Sequence, residues 1–139
     1  MANYYLDTSI WLDLFENRDK PNLQKGKLTK ELINKIIKDN DKIVYSDLTI
    51  TELNTAGYSS FEVEEMLKSL KHLLIFIEAT ERQIGKSKDL STKRNIPRGD
   101  ALGAILARNA NAVLIARDKH FQKILDIIKP KKPEEIISF

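Results

Sequence analysis

The sequence predicts an α/β fold in which helices flank a mainly parallel central sheet of about five strands. Short apolar runs recur at 3–6, 42–46, 73–77 and 112–116, most of them bounded by polar or turn-forming residues. Between them, apolar residues return at helical spacing, as in Leu28, Leu32, Ile33, Ile36 and Ile37. The two patterns alternate along the whole chain, which favours parallel strands joined by crossover helices.

Taken in order, residues 3–6 read as a short buried strand and 9–16 as a helix carrying Ile10, Leu12, Leu14 and Phe15. Asn17 to Gly26 is polar, contains Pro21 and reads as a loop. A second helix covers 28–38, and "KIVYS" at 42–46 is a strand. Residues 47–56 form a short helix that stops near Gly57. Ser59 followed by Glu62 matches a capping box, so a helix with the stripe Val63, Met66, Leu67 and Leu70 begins there. "LLIFI" at 73–77 is a candidate strand. A helix near 80–90 leads into a basic loop ending at Pro97-Arg98-Gly99, and Asp100 then opens the apolar helix "DALGAILARNA". "AVLIA" at 112–116 reads as a buried strand, Lys119 to Leu125 as a helix, and the terminal "EEIISF" as a last strand.

The 139 residues suit one domain spanning 1–139, able to bury roughly two-thirds of its unfolded surface. Apolar residues at 42% and charged residues at 31% are ordinary for a soluble protein. No apolar run approaches the roughly 20 residues that span a bilayer, and no signal peptide is evident. The absence of cysteine excludes disulfides and thiolate metal sites. The expectation is a cytoplasmic protein without a membrane partner. The net charge of +3 is unevenly spread: residues 1–70 carry 9 Lys/Arg against 12 Asp/Glu, and 71–139 carry 14 against 8. Arg82 to Arg98 holds six basic residues and one acid, Asp89, a run suited either to phosphate contacts or to a solvated helix face.

Four carboxylates stand at the junctions. Asp7 follows the first strand and Asp118 the strand at 112–116, so both belong at one rim if those strands are parallel. Glu52 lies six residues after "KIVYS", and Asp100 sits at a helix start. Singly, each Asp fits a helix N-cap and Glu52 a polar helix face. Ligands in open α/β sheets collect beyond the carboxyl ends of the strands. Two carboxylates about 4 Å apart repel by roughly 4 kcal/mol at an effective dielectric near 20, so a cluster calls for protons or cations. Oxygen ligands alone suit a hard divalent ion such as Mg²⁺ or Mn²⁺. Spacing leaves the cap and the metal ligand both open.

The segments "YLDTSIWLDLF", "SDLTITELN", "RGDALGAILARNANAVLIARDKHF" and "KPEEIISF" together resemble the PIN-domain family, most closely its small VapC-type toxin ribonucleases. The likeness is ordered from end to end and leaves only 17–27 and 78–98 individual. It implies a PIN-like three-layer fold, with the family's acids falling on Asp7, Glu52, Asp100 and Asp118. Thr8 and Ser9 match the hydroxyl residue that follows the first acid. The chain departs from the pattern at Ala116, where the family often has Thr or Ser two residues before the fourth acid. Arg117 stands ready to pair with Asp118 or to contact a phosphate.

The resemblance implies metal-assisted hydrolysis of RNA to a 5′-phosphate and a 3′-hydroxyl. Asp7, Glu52, Asp100 and Asp118 would hold Mg²⁺ or Mn²⁺, with Lys86, Lys88, Lys93, Arg94 and Arg98 on the substrate backbone. It also implies a small antitoxin partner and a homodimer. The alternatives are a stand-alone RNA-processing nuclease and a PIN-like module that binds RNA or protein without cutting. An aspartate-nucleophile hydrolase would need Asp-x-Asp where Asp7-Thr8-Ser9 stands, and a receiver domain would need paired acids there. His72 and His120 read as too isolated for a metal pair, and Asp13 and Asp47 as surface residues. Trp11, Tyr4, Tyr5, Phe15 and Phe121 sit in apolar patterns and read as core or interface.

Overall fold

The computed structural model describes residues 1–16, 19–20 and 23–137. Its elements run β1 (Asn3–Leu6), α1 (Thr8–Glu16), β2 (Asp19–Lys20), β3 (Leu23–Gln24), α2 (Lys25–Lys38), β4 (Lys42–Ser46) and α3 (Asp47–Thr55). They continue with α4 (Ser60–Lys68), β5 (Leu74–Ile77), α5 (Glu81–Arg94), α6 (Arg98–Asn109), β6 (Val113–Ile115) and α7 (Pro133–Ile137). Four strands form one sheet in the order β5-β4-β1-β6, parallel throughout, and β2 and β3 pair separately as a small antiparallel ribbon.

The sheet is covered on both faces, and the strands show it residue by residue. Tyr4 and Leu6 of β1, Ile43 of β4 and Ile115 of β6 face one way, into a core with Ile10, Trp11, Leu32 and Ile36 of α1 and α2. Tyr5, Val44 and Leu114 face the other way, against Ala101, Ala104 and Ala107 of α6. Strands buried on both sides read as continuous apolar runs, which is why "YYL" and "VLI" show no alternation in sequence. The result is three layers with β1 in the middle of the sheet. Among the described residues no helix is long and apolar enough to cross a membrane.

Local sequence fixes most of the boundaries. Reciprocal capping boxes start three helices: Ser46 with Thr49 at α3, Ser59 with Glu62 at α4, and Thr80 with Gln83 at α5. Asn40, Asn95 and Asn111 take left-handed conformations just after α2, α5 and α6, and Gly57, at φ +112°, does so after α3.

Several expectations change. Within the expected loop from Asn17 to Gly26, residues 17–18 and 21–22 lie outside the described residues, and Asp19–Lys20 pairs with Leu23–Gln24. The sheet has four strands, not about five: the terminal Glu134–Ile137 is helical, because Pro133 opens α7 and the Glu135 carboxylate accepts from the Lys132 amide. Ser138 and Phe139 lie outside the described residues. The chain returns to β6 only through a single bridge between Ile115 and Lys131. Helix α5 runs to Arg94, so most of the basic "loop" is helix, and α2 starts at Lys25 with Gly26 in its first turn. The segment Lys119–Ile124 is a 3-10 helix.

Asp13 differs too, since it is buried at 3% exposure and not on the surface. Arg117 explains it. The guanidinium donates from Nη1 to Glu134 Oε2 at 2.7 Å, and its Nε stands 3.9 Å from Asp13 Oδ2. Arg117 therefore ties α1 to α7, its ion pairs going to Asp13 and Glu134. Asp47 is structural as well, its Oδ1 accepting from the Ala79 amide at 2.9 Å.

Leu32 has no exposed surface and sits between α1 and the sheet. Leu32→Ala is expected to lower unfolding free energy by about 2–5 kcal/mol, measured by urea denaturation with the slope unchanged.

Candidate metal centre

All four strands end at the same rim, and the chain leaves three adjacent ones, β4, β1 and β6, through an acidic segment. Asp7 follows β1 directly, its amide extending the ladder to Ile115 O at 2.9 Å and its carbonyl accepting from Ile10 and Trp11 to start α1. Glu52 stands on α3, one turn and a half past the end of β4. Asp118 follows β6 and caps the 3-10 helix by accepting from the His120 amide at 2.8 Å. Helix α6 runs back antiparallel to the strands, so its first turn, with Asp100 as third residue, lies at this rim too. Asp100 is thus not the N-cap; Pro97 holds that position. The N-termini of α1 and α6 both open here, which favours negative charge.

The acids divide into two linked groups. Thr8 donates its hydroxyl to Glu52 Oε1, and Ser9 donates to Asp7 Oδ2 at 2.6 Å. On the other side, His120 Nδ1 lies 2.8 Å from Asp100 Oδ2 and 2.9 Å from Asp118 Oδ1. The ligand atoms of Asp100, Asp118 and His120 all fall within 4.8 Å of one another. Asp7 joins the groups, since its charge acts on both Glu52 and Asp100, and that of Asp118 acts on Asp7.

Burial and mutual repulsion set the proton affinities. Burial pushes the Asp7 carboxyl up, with the Asp118 charge adding to it and the Ser9 hydroxyl opposing. Glu52 is raised by burial and by Asp7, against the Thr8 hydrogen bond. Asp100 is raised to about 6 by burial, then Asp7 and Asp118, with His120 pulling the other way. Carboxyls driven up by desolvation and by each other favour a bound cation in place of protons. The donor set, carboxylate oxygens with one imidazole nitrogen, fits a small divalent ion such as Mg²⁺ or Mn²⁺.

Sequence reasoning missed His120. Its partners lie two and twenty positions away, and only the local Asp-x-His spacing hinted at it. It also accounts for Ala116. That side chain is packed in the core beside Leu114 and Phe121, so no hydroxyl reaches Asp118, and the amide and ring of His120 orient the acid instead.

The basic residues are less concentrated. Arg98 opens α6 beside the acids and is exposed, as is Lys93 near the end of α5. Arg94 is committed elsewhere: it forms two hydrogen bonds with the Asp126 carboxylate and one with Lys123 O, and it holds Asp126 down at about 2. Lys86 and Lys88 lie on α5, with Lys86 lining a hollow formed with Arg108 and Ile127 and not the acidic rim.

Asp100 releases its proton near 6 in the fold but near 3.8 in the unfolded chain, so the native state holds more protons between those values. Its contribution to stability is therefore best at low pH and is lost as pH rises through about 6. Asp100→Asn is expected to gain stability relative to the parent by on the order of 2 kcal/mol between about pH 4 and pH 7, read from urea denaturation without metal. A difference that stays constant with pH would contradict the crowding of these acids.

Comparison with known proteins agrees with this geometry. The PIN domain family model matches residues 4–126. No curated protein matches the chain in sequence. Among solved structures, VapBC-1 from nontypeable Haemophilus influenzae is 25% identical with a TM-score of 0.66, covering 94% of this chain and 98% of that one. A toxin–antitoxin complex from Klebsiella pneumoniae gives 20% identity and a TM-score of 0.66, covering 95% and 99%. VapBC2 from Rickettsia felis, bound to a DNA fragment from its promoter, gives 19% and 0.66, covering 94% and 98%. With the family model matching nearly the full length, and the four-stranded parallel sheet and its acidic rim in place, the chain belongs to the PIN domain family.

Proposed function

We propose that this PIN domain is a ribonuclease dependent on Mg²⁺ or Mn²⁺ and that it is the toxin of a toxin–antitoxin pair. The observation that carries the first part is the convergence of Asp7, Glu52, Asp100 and Asp118 from four separate places in the chain onto one rim, with three of them raised in proton affinity by burial. Helix caps and a polar helix face would not need to meet. The likeness in fold to VapBC and toxin–antitoxin structures from three bacteria supports the second part and makes a small antitoxin protein the proposed partner.

In this reading Asp7, Glu52 and Asp100 would be the principal ligands, with Asp118 as a further one and His120 beside them. A divalent ion bound there would activate a water and offset the charge of the phosphodiester. The protein's own groups hold the geometry. Ser9 fixes one oxygen of Asp7, Thr8 one oxygen of Glu52, and His120 bridges Asp100 and Asp118. Arg98, at the open edge of the rim, takes a backbone phosphate of the RNA, and Lys93 extends that contact along the strand. Arg94, bound to Asp126, serves the fold before it serves the substrate.

Incubating purified protein with a mixed RNA pool in Mn²⁺ or Mg²⁺ tests the proposal. Cleavage is expected with metal, to be absent in EDTA, and to fall by more than about 100-fold in Asp7→Asn. Arg98→Ala is expected to raise KM more than it lowers kcat and to reduce the salt slope of RNA binding by about 1. RNA that binds equally well in EDTA and is never cut would instead identify a binding module.

A further inference from the structure

The Glu52 carboxylate reaches the rim through a gap in α6. Gly99 is the second residue of that helix, between Arg98 and Asp100. A Cβ on Gly99 would overlap Glu52 Oε2, well inside the 3.0 Å that real Cβ atoms keep, and would stand 3.3 Å from its Cδ and 3.9 Å from Oε1. Outside its own helix, the three nearest atoms it would meet all belong to that carboxylate. The backbone gives no other reason for glycine, because Gly57 is the glycine with positive φ and Gly99 is helical.

We infer that Gly99 is a positioning residue: the missing Cβ admits the Glu52 carboxylate to the backbone of the α6 first turn, where Thr8 and Gly99 hold it beside Asp100. The inference rests on the metal-binding reading above and deepens it by adding a residue that touches no ion and no substrate. Glu52 ends a flexible side chain, so a Cβ at position 99 does not have to unfold anything. The carboxylate swings away, its bond from the Thr8 hydroxyl breaks, and the ligand set loses one member while the helix, now with alanine in place of glycine, keeps or gains stability.

Gly103, one turn further along α6, is the natural control. A Cβ there would meet Leu48 and Tyr5 at 3.9 Å, ordinary van der Waals contact with no carboxylate involved.

The test compares Gly99→Ala, Gly103→Ala, Glu52→Ala and the double variant Gly99→Ala/Glu52→Ala in the full chain. Melting temperature is read without metal, and Mn²⁺ binding by titration calorimetry. Gly99→Ala is expected to melt at or above the parent temperature yet bind Mn²⁺ at least about tenfold more weakly. Gly103→Ala is expected to bind as the parent does. In the Glu52→Ala background the substitution at 99 is expected to change Mn²⁺ affinity no further, because the group it displaces is already gone. Parental affinity in Gly99→Ala, or an equal loss in both backgrounds, would overturn the inference. A metal-free crystal structure of Gly99→Ala separates this failure from that of the metal reading. A parent that binds no Mn²⁺ would end the metal proposal, whereas a Glu52 carboxylate still bonded to Thr8 above Ala at position 99 would end this one.

Discussion

Crowded negative charge is the constraint around which the rest of the molecule is arranged. Asp7, Glu52, Asp100 and Asp118 are brought to one end of a sheet, partly out of water, where Asp7 raises the cost of ionising Glu52 and Asp100, and Asp118 that of Asp7 and Asp100. The fold relieves this in steps. Two hydroxyls, from Thr8 and Ser9, stabilise individual oxygens. One imidazole spans Asp100 and Asp118, and two helix N-termini direct their positive ends at the site. These measures are too weak to return Asp100 to an ordinary carboxylate value, for it remains near 6. The residual imbalance is what a divalent cation would remove.

Such a site needs a scaffold that does not give way. Strand β1 supplies it, paired on both edges by β4 and β6 and covered on both faces by helices. The acid at its end starts α1 through the backbone, so Asp7 cannot shift without disturbing both the ladder and the helix. Arg117, adjacent to Asp118 in sequence, joins α1 to α7 through Asp13 and Glu134. Opposite charges are therefore partitioned: the buried guanidinium is used for the fold, and the exposed Arg98 stays at the mouth of the site.

Much of this was legible in the sequence, for local reasons. The apolar runs of β1, β4, β5 and β6 and the Ser59/Glu62 box state their own structure, and an aspartate directly after a buried strand can only emerge at the rim. What stayed hidden depends on partners distant in the chain. Asp13 looks like a surface acid until Arg117 is folded against it. His120 looks isolated until α6 brings Asp100 alongside. The end of helix α5 is hard to see in sequence because few large apolar groups mark its inner face and its buried residue is Ser87, although Thr80 and Gln83 mark its start. The terminal "EEIISF" suggested a strand through paired isoleucines, and Pro133 was the contrary signal. Gly99 read as loop punctuation, since nothing local reveals that the backbone there meets a glutamate from another helix.

The central claim, that the four acids form one cation site, is tested most directly by locating the ion. Crystals soaked in Mn²⁺ should show an anomalous peak about 2.1 Å from carboxylate oxygens of Asp7 and Asp100, with Glu52 and Asp118 on or next to its coordination sphere. A site without that peak at millimolar Mn²⁺, with the four carboxyls turned apart and bonded only to their own helices, would contradict the account and return these residues to purely structural roles.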